Sequence, residues 1–448
     1  MKKIVYSLMF LTVFGMTYLV LPYFRASENP KLRYVYANTI SVKSVQIPDG
    51  DASYTDGSGD GAVVYRVIRG IGDLIPEVKD NKVTGYTFGD ENYILAADLN
   101  LGGLPLYFSS EYTKIFNGNE YSIKNAKIEN GIFGGKLGKT AVVKGLTIDS
   151  SCAVTGASIA KINEGSIIDV KNHAAVTGKI ISYTSKITGK LTSAWTGGGI
   201  VFENYGLIKD VINGADVKAN GGIAQINGKG GRIVCSYNVG RISGEGDYMG
   251  VGGIAGENYG EISDTYNGGY VDGKAQTAGG IAGESRGVIT NCENNANVVA
   301  TGLAGGIAGG FRGRINGSAN FGLVKATAGS GVAGGIAGKT LKAEDDDDKA
   351  KPSISGSKNL AVVIGNTSRG IIGEGDATVT DTKNFGRLNG KTEFTVKLDE
   401  FLAETKLIIV AIIGLLIVTA IGLMIRDRYR LIKNRRTEIE NILYYSGN

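Results

Sequence analysis

This chain of 448 residues has one histidine, three cysteines, six prolines and one tryptophan. With a single histidine, a zinc site built on two histidines and an H-E-x-x-H protease helix are impossible, and three cysteines cannot form paired C-x-x-C ribbons. Any metal chemistry would have to use carboxylates. Scarce proline excludes collagen, and a hydrophobic content of 42% excludes a disordered low-complexity chain. Charge of one sign is also missing where a nucleic-acid binder would need it. The net +5 resides in Lys2, Lys3 and Arg25 at one end and in six basic residues between Arg426 and Arg436 at the other. The span 26–406 is within one charge of neutral, so nucleic-acid binding has no electrostatic support.

Glycine is abundant instead, at 69 residues, and it is periodic. Gly-Gly-Ile recurs at Gly198, Gly221, Gly252, Gly279, Gly305 and Gly334, and four of these continue as Gly-Gly-Ile-Ala-Gly. A Gly-x-Ile follows each of the first five, at Ile208, Ile233, Ile262, Ile289 and Ile315, and asparagine stands five residues after that isoleucine. The asparagines are Asn213, Asn238, Asn267, Asn294 and Asn320, and the same frame recovers Asn172, Asn359 and Asn384. Four residues beyond each comes a branched apolar residue such as Val217, Ile242 or Val324. Short glycine-punctuated strands at this period exclude helical arrays and fit one coil of a parallel β-helix with three strands per coil. Isoleucines such as Ile254 and Ile281 are expected in inward stacks. The asparagine is expected at a fixed corner, where its side chain satisfies backbone groups and it can adopt left-handed geometry.

Two uncharged runs flank this middle. Ile4 to Phe24 follows Lys2 and Lys3 and reads as a signal peptide or N-terminal anchor. Leu407 to Ile425 is long enough to span hydrocarbon, and the basic residues after it predict a cytoplasmic tail, leaving the middle outside the cell. The expected order is a signal or anchor over 1–25, a linker and cap over 26–83, an all-β solenoid over 84–390, a juxtamembrane segment over 391–406, a transmembrane helix over 407–425 and a basic tail over 426–448.

Further residues carry the family likeness. They are Thr84-Gly85-Tyr86, Tyr93 through Leu101, Ile115 through Ile123 and Gly131-Ile132-Phe133-Gly134. With the Gly-Gly-Ile-Ala-Gly units they resemble bacterial surface proteins with GLUG-motif repeats over about 84–388. The resemblance implies an extracellular right-handed β-helix, adhesin-like, with no catalytic residues to carry over. Unlike wall-anchored relatives, the chain has no L-P-x-T-G sorting signal.

Other motifs point to chemistry only weakly. Asp56, Ser58 and Asp60 supply the first half of an EF-hand-like loop, a loose calcium site lacking the closing glutamate because position twelve is Val67. Gly329 to Gly334 satisfies G-x-G-x-x-G, but no helix is expected after it. His173 follows Asn172 at a position that accepts any residue, and Cys152, Cys235 and Cys292 read as small buried hydrophobes. Glu344 to Lys349 is a solvated acidic run in an interruption of the repeat, and it spells the enteropeptidase recognition string.

The preferred reading is a non-enzymatic, membrane-anchored ectodomain for adhesion or surface assembly. Its expected partners are the membrane, surface glycans or proteins, and further copies of itself, with Tyr205, Tyr259 and Arg312 as contact groups. The alternatives are a polysaccharide lyase or glycosidase using Glu203, Glu257, Glu284, Arg286, Arg312 or Arg314, and a transmembrane signalling component.

Overall fold

The computed structural model describes residues 44–57, 61–184, 189–247, 249–343 and 351–388. The two membrane-run expectations, the tail and the acidic run lie outside these residues. No helix among the described residues is long and apolar enough to cross a membrane.

The described chain winds into a parallel β-solenoid of about 11 turns. Each strand pairs in parallel with its equivalent one turn away, so Ile208, Ile233, Ile262, Ile289, Ile315 and Ile354 stand in one aligned column. Ile254 and Ile281 are fully buried, as the periodicity predicts. At its start, Ser53–Asp56 runs antiparallel to Val63–Ile68, which then pairs in parallel with Tyr93–Leu95. The first turns are filled by large rings, with Phe88 against Tyr93, Phe108, Tyr112, Phe116 and Phe133. Later turns are filled by Ile, Val and Ala.

The expected three strands per coil need correction. One turn contains five short segments: Thr277–Gly279, Ala282–Ser285, Val288–Thr290, Glu293–Asn294 and Val298–Ala300. The glycine pair folds the first segment onto the second, and a left-handed residue splits what would be a single strand through Ile289. That residue is not the repeat asparagine, which corrects the second expectation. Positive φ recurs three positions earlier, at Asp169, Asp210, Cys235, Asp264, Asn291, Gly317, Gly356 and Asp381. Asp, Asn and Gly tolerate this geometry best, which explains most of that column.

The asparagines face inward instead, and each amide donates to the next. Asn172 Nδ2 reaches Asn213 Oδ1 at 2.8 Å, and the relay continues through Asn238, Asn267, Asn294, Asn320 and Asn359 to Asn384 at 2.7–2.9 Å. Each Nδ2 also donates to the carbonyl two residues on, as Asn294 does to Ala296 at 2.8 Å. Opposite the relay lies the second glycine of each Gly-Gly-Ile. A Cβ on Gly280 would overlap the Asn294 side chain, and one on Gly306 would overlap Asn320.

A hydroxyl column runs beside the relay. The N–H of Val211 donates to Ser236 Oγ, Cys292 N–H to Ser318 Oγ, Ser318 N–H to Ser357 Oγ, and Ser357 N–H to Thr382 Oγ1, all at 3.1–3.3 Å. Cys292 occupies this column, its thiol contacting Thr290 O at 3.3 Å and pushed up to about 12 chiefly by burial. The cysteines are free. Cys152 and Cys292 are buried as expected, but Cys235, which takes a left-handed corner, is only half-buried.

Insertions leave the ladders in register. The interruption after Val176 is an antiparallel hairpin, Lys179–Thr184 with Leu191–Thr196, whose Trp195 ring lies 4.1 Å from Lys218 Nζ. Across the acidic interruption, Ile315 still pairs with Ile354 and Asn320 with Asn359.

Two outcomes are expected. Asn294→Ala leaves the Asn267 amide, the Asn320 carbonyl and the Ala296 carbonyl without their partner, and should lower stability by about 2–4 kcal/mol in urea unfolding, with Gly280→Ala also destabilising. Because register holds on both sides of the acidic interruption, enteropeptidase cleavage after Lys349 should leave the β-type circular dichroism and the melting temperature nearly unchanged. Loss of cooperative unfolding after that single cut would show the segment to be structural.

Candidate functional site

In a strand of this solenoid alternate residues face out, so a residue that recurs in the repeat becomes a column on the surface. The strands Val201–Asn204, Ala255–Asn258 and Ala282–Ser285 carry one such column, with Glu203, Ile226, Glu257, Glu284, Gly310, Lys339 and Glu374 in register. Two residues on, beyond the inward asparagine or serine, comes a second outward column containing Tyr205, Tyr259, Arg286 and Arg312.

The two columns are tied together. Tyr205 donates its hydroxyl to Glu203 Oε2 and Tyr259 to Glu257 Oε2, each at 2.9 Å. Arg286 Nη1 reaches Glu284 Oε2 at 3.3 Å, and its guanidinium lies 5.7 Å from the Tyr259 ring centroid. Burial first, and the bond to Glu203 second, hold the Tyr205 phenol above its usual range. Tyr205 lies across Gly228, where a Cβ would collide with its ring. The result is a fixed surface of aromatic rings, carboxylates and guanidinium groups.

Beneath it runs a second amide relay. Asn163 donates to Asn204, Asn204 to Asn227, and Asn227 to Asn258 at 2.7–2.8 Å, ending on Ser285 Oγ at 3.1 Å. Sequence reasoning missed these residues. For Asn163, Asn204 and Asn258 the signal is an asparagine two positions before the glycine of Gly-x-Ile, as in Asn204-Tyr205-Gly206 and Asn258-Tyr259-Gly260, whereas two extra residues before Gly231 put Asn227 out of that frame.

The remaining sequence candidates disperse. Arg314 pairs across strands with Val288 and Ser353, around the Gly313 corner from Arg312 and on another ladder. Asp56 is exposed at the end of its hairpin strand and Val67 is buried, while Ser58 and Asp60 lie outside the described residues. Among the described residues no group of three His, Cys, Asp or Glu side chains could hold a metal ion. Gly329 to Gly334 leads into the strand Val332–Gly334. His173 is exposed, with its ring over Gly214.

A separate carboxylate group was not anticipated. Asp169 and Asp210 occupy successive left-handed corners and are nearly buried, and Lys171 bridges Asp169 at 3.7 Å to Glu120 at 3.4 Å. Burial is the main force raising the Glu120 carboxyl, opposed by Lys171 and reinforced by Asp169. Asp210 is likewise raised by burial, opposed by Lys209 and reinforced by Asp169.

Asp210 gives a signed pH prediction. Its carboxyl lies above the ordinary 3.8 in the folded chain, so its favourable contribution is complete below that value and is lost as pH rises through the folded pKa. Asp210→Asn, whose side chain accepts the same corner as Asn291 does, should therefore raise the melting temperature at pH 7, with the difference shrinking toward pH 4. A difference independent of pH would refute the role of burial.

No protein-family model and no curated protein matches the chain. Among solved structures it is similar to a Bacteroides ovatus protein described as a candidate immunoglobulin A1 protease, with 17% identity over 72% of this chain and 83% of that one, at a TM-score of 0.34.

Proposed function

We propose that this chain is a membrane-tethered, outward-facing β-solenoid that acts in adhesion or surface assembly without catalysing a reaction, of the kind represented by GLUG-repeat surface proteins. The observation that carries this reading is the tied double column of Glu203, Tyr205, Glu257, Tyr259, Glu284 and Arg286. Recurrence along the solenoid axis presents related contact groups on several turns, and many weak contacts then sum through effective concentration. Tyrosine rings beside carboxylates suit sugar faces and hydroxyls or protein side chains. The uncharged runs at 4–24 and 407–425, with the basic residues beyond the second, support the tether and its orientation.

The enzyme alternative has one feature in its favour, namely that Glu257 and Glu284 are adjacent across strands. Each, however, is already engaged by a neighbouring Tyr259 or Arg286, whereas a glycosidase needs two carboxyl groups flanking the bond it cleaves.

Purified full-length protein presented to glycan and surface-protein arrays, with released sugar and peptide assayed in the same wells, separates the two readings. Retention without release is expected, with Tyr205→Ala plus Tyr259→Ala weakening it about tenfold or more, as loss of aromatic anchors does. Turnover abolished by Glu257→Gln or Glu284→Gln would establish an enzyme. On intact cells, external protease should remove the middle and spare an epitope within 430–448. The reverse pattern would invert the topology.

A further inference from the structure

The position just after each repeat asparagine is outward on every turn, so its composition is free to vary. From Asn172 to Asn294 it holds His173, Gly214, Val239, Gly268 and Asn295, a mixed set with one apolar side chain. In the last three turns it holds Phe321, Leu360 and Phe385, exposed at 42%, 42% and 64%. Register puts these three side by side, because Asn320 pairs with Asn359 and Asn359 with Asn384. Lys358 and Lys383 stand on one flank of the stripe and Arg387 on the other, and within four positions of Phe321, Leu360 or Phe385 the sequence holds one acidic residue, Asp381 at the left-handed corner. Only residues 389–406 separate this stripe from the uncharged run at 407.

We propose that this stripe is a lipid-contacting patch that rests the last turns of the solenoid on an anionic bilayer surface. Exposed aromatic and aliphatic side chains rimmed by lysine and arginine match the boundary between headgroups and acyl chains, where apolar burial and attraction to anionic lipid act together. Lysine stems cover apolar surface while their charged ends stay at the phosphates. A glycan could stack on the phenylalanines but would find no hydroxyl or carboxylate partner on Phe321, Leu360 or Phe385 themselves, an acidic protein would account for the cations but not for the apolar stripe, and a second copy would account for the phenylalanines but would bring like charges together. The proposal rests on the reading that 407–425 crosses a membrane.

The test uses full-length protein reconstituted into phosphatidylcholine vesicles with or without phosphatidylglycerol, carrying brominated acyl chains. The sequence has a single tryptophan, so two one-tryptophan proteins suffice: wild type, reporting Trp195, and Trp195→Phe with Phe385→Trp. Flotation with vesicles checks the tether, and thermal unfolding checks that the variant folds. Tryptophan at 385 should be quenched about twofold or more relative to Trp195 in the anionic vesicles, as interfacial burial requires. Lys358→Glu with Lys383→Glu should remove that quenching. A blue-shifted but unquenched emission would show that protein covers the stripe and would overturn the proposal, as would a solvent-like emission in floating vesicles. Failure to float with either vesicle would overturn the tether together with the patch.

Discussion

The amide relay facing a glycine column is the constraint on which the remainder of the solenoid depends. A buried carboxamide without partners costs more than its burial returns, so an asparagine can occupy the interior only if the next turn supplies another at the same height. The glycine opposite must lack a side chain, because at Gly280 and Gly306 the place of a Cβ is already filled by Asn294 and Asn320. The two columns fix the register of the turns from Asn172 onward and keep the interior thin there, leaving Ile254, Ile281 and their equivalents to supply most of the apolar filling. Slippage of one turn by a single residue would break two hydrogen bonds per asparagine and drive a side chain into the glycine position.

The surface inherits its order from this interior. Because each corner is held by an inward asparagine, the residues immediately after it are projected outward at fixed spacing, whatever they are. The Tyr205 and Tyr259 column stands over one relay and the Phe321, Leu360 and Phe385 stripe over the other. The scaffold is conserved along its own length while its decoration changes, so different stretches of one molecule can meet different partners. Insertions obey the same logic: a hairpin after Val176 and an acidic segment after Lys339 leave the corner spacing on either side intact.

Much of the fold was legible because strict repetition makes each structural requirement visible several times. The period, the inward isoleucines and the bonds from the repeat asparagines to nearby backbone follow from identical residues at identical offsets, whereas the left-handed corner lies three residues earlier and the amide-to-amide relay is set by the stacking of turns. What escaped is what the molecule satisfies with chemically equivalent but different residues. The hydroxyl column is written Ser236, Thr265, Cys292, Ser318, Ser357 and Thr382, so no single residue type runs through it. The second relay loses its asparagine at Ser285 and Phe311, and the left-handed corner is shared among Asp, Asn, Gly and Cys. Of the candidate contact groups, Tyr205, Tyr259 and Arg312 were chosen from repetition, whereas the tyrosine–glutamate bonds that fix them require coordinates. The carboxylates of Asp169 and Asp210 escaped because burial at a corner leaves no mark in a sequence.

The relay also has a direction. Every amide in the row from Asn172 to Asn384 gives its hydrogen toward the C-terminal turn and receives on its oxygen from the N-terminal side. Their dipoles therefore add along the axis in the manner of a helix, with the electropositive pole at the last turn. The pole is built from neutral groups, so unlike the lysines around Phe385 it does not titrate, and it makes the last turn the more favourable end for negative charge at any pH.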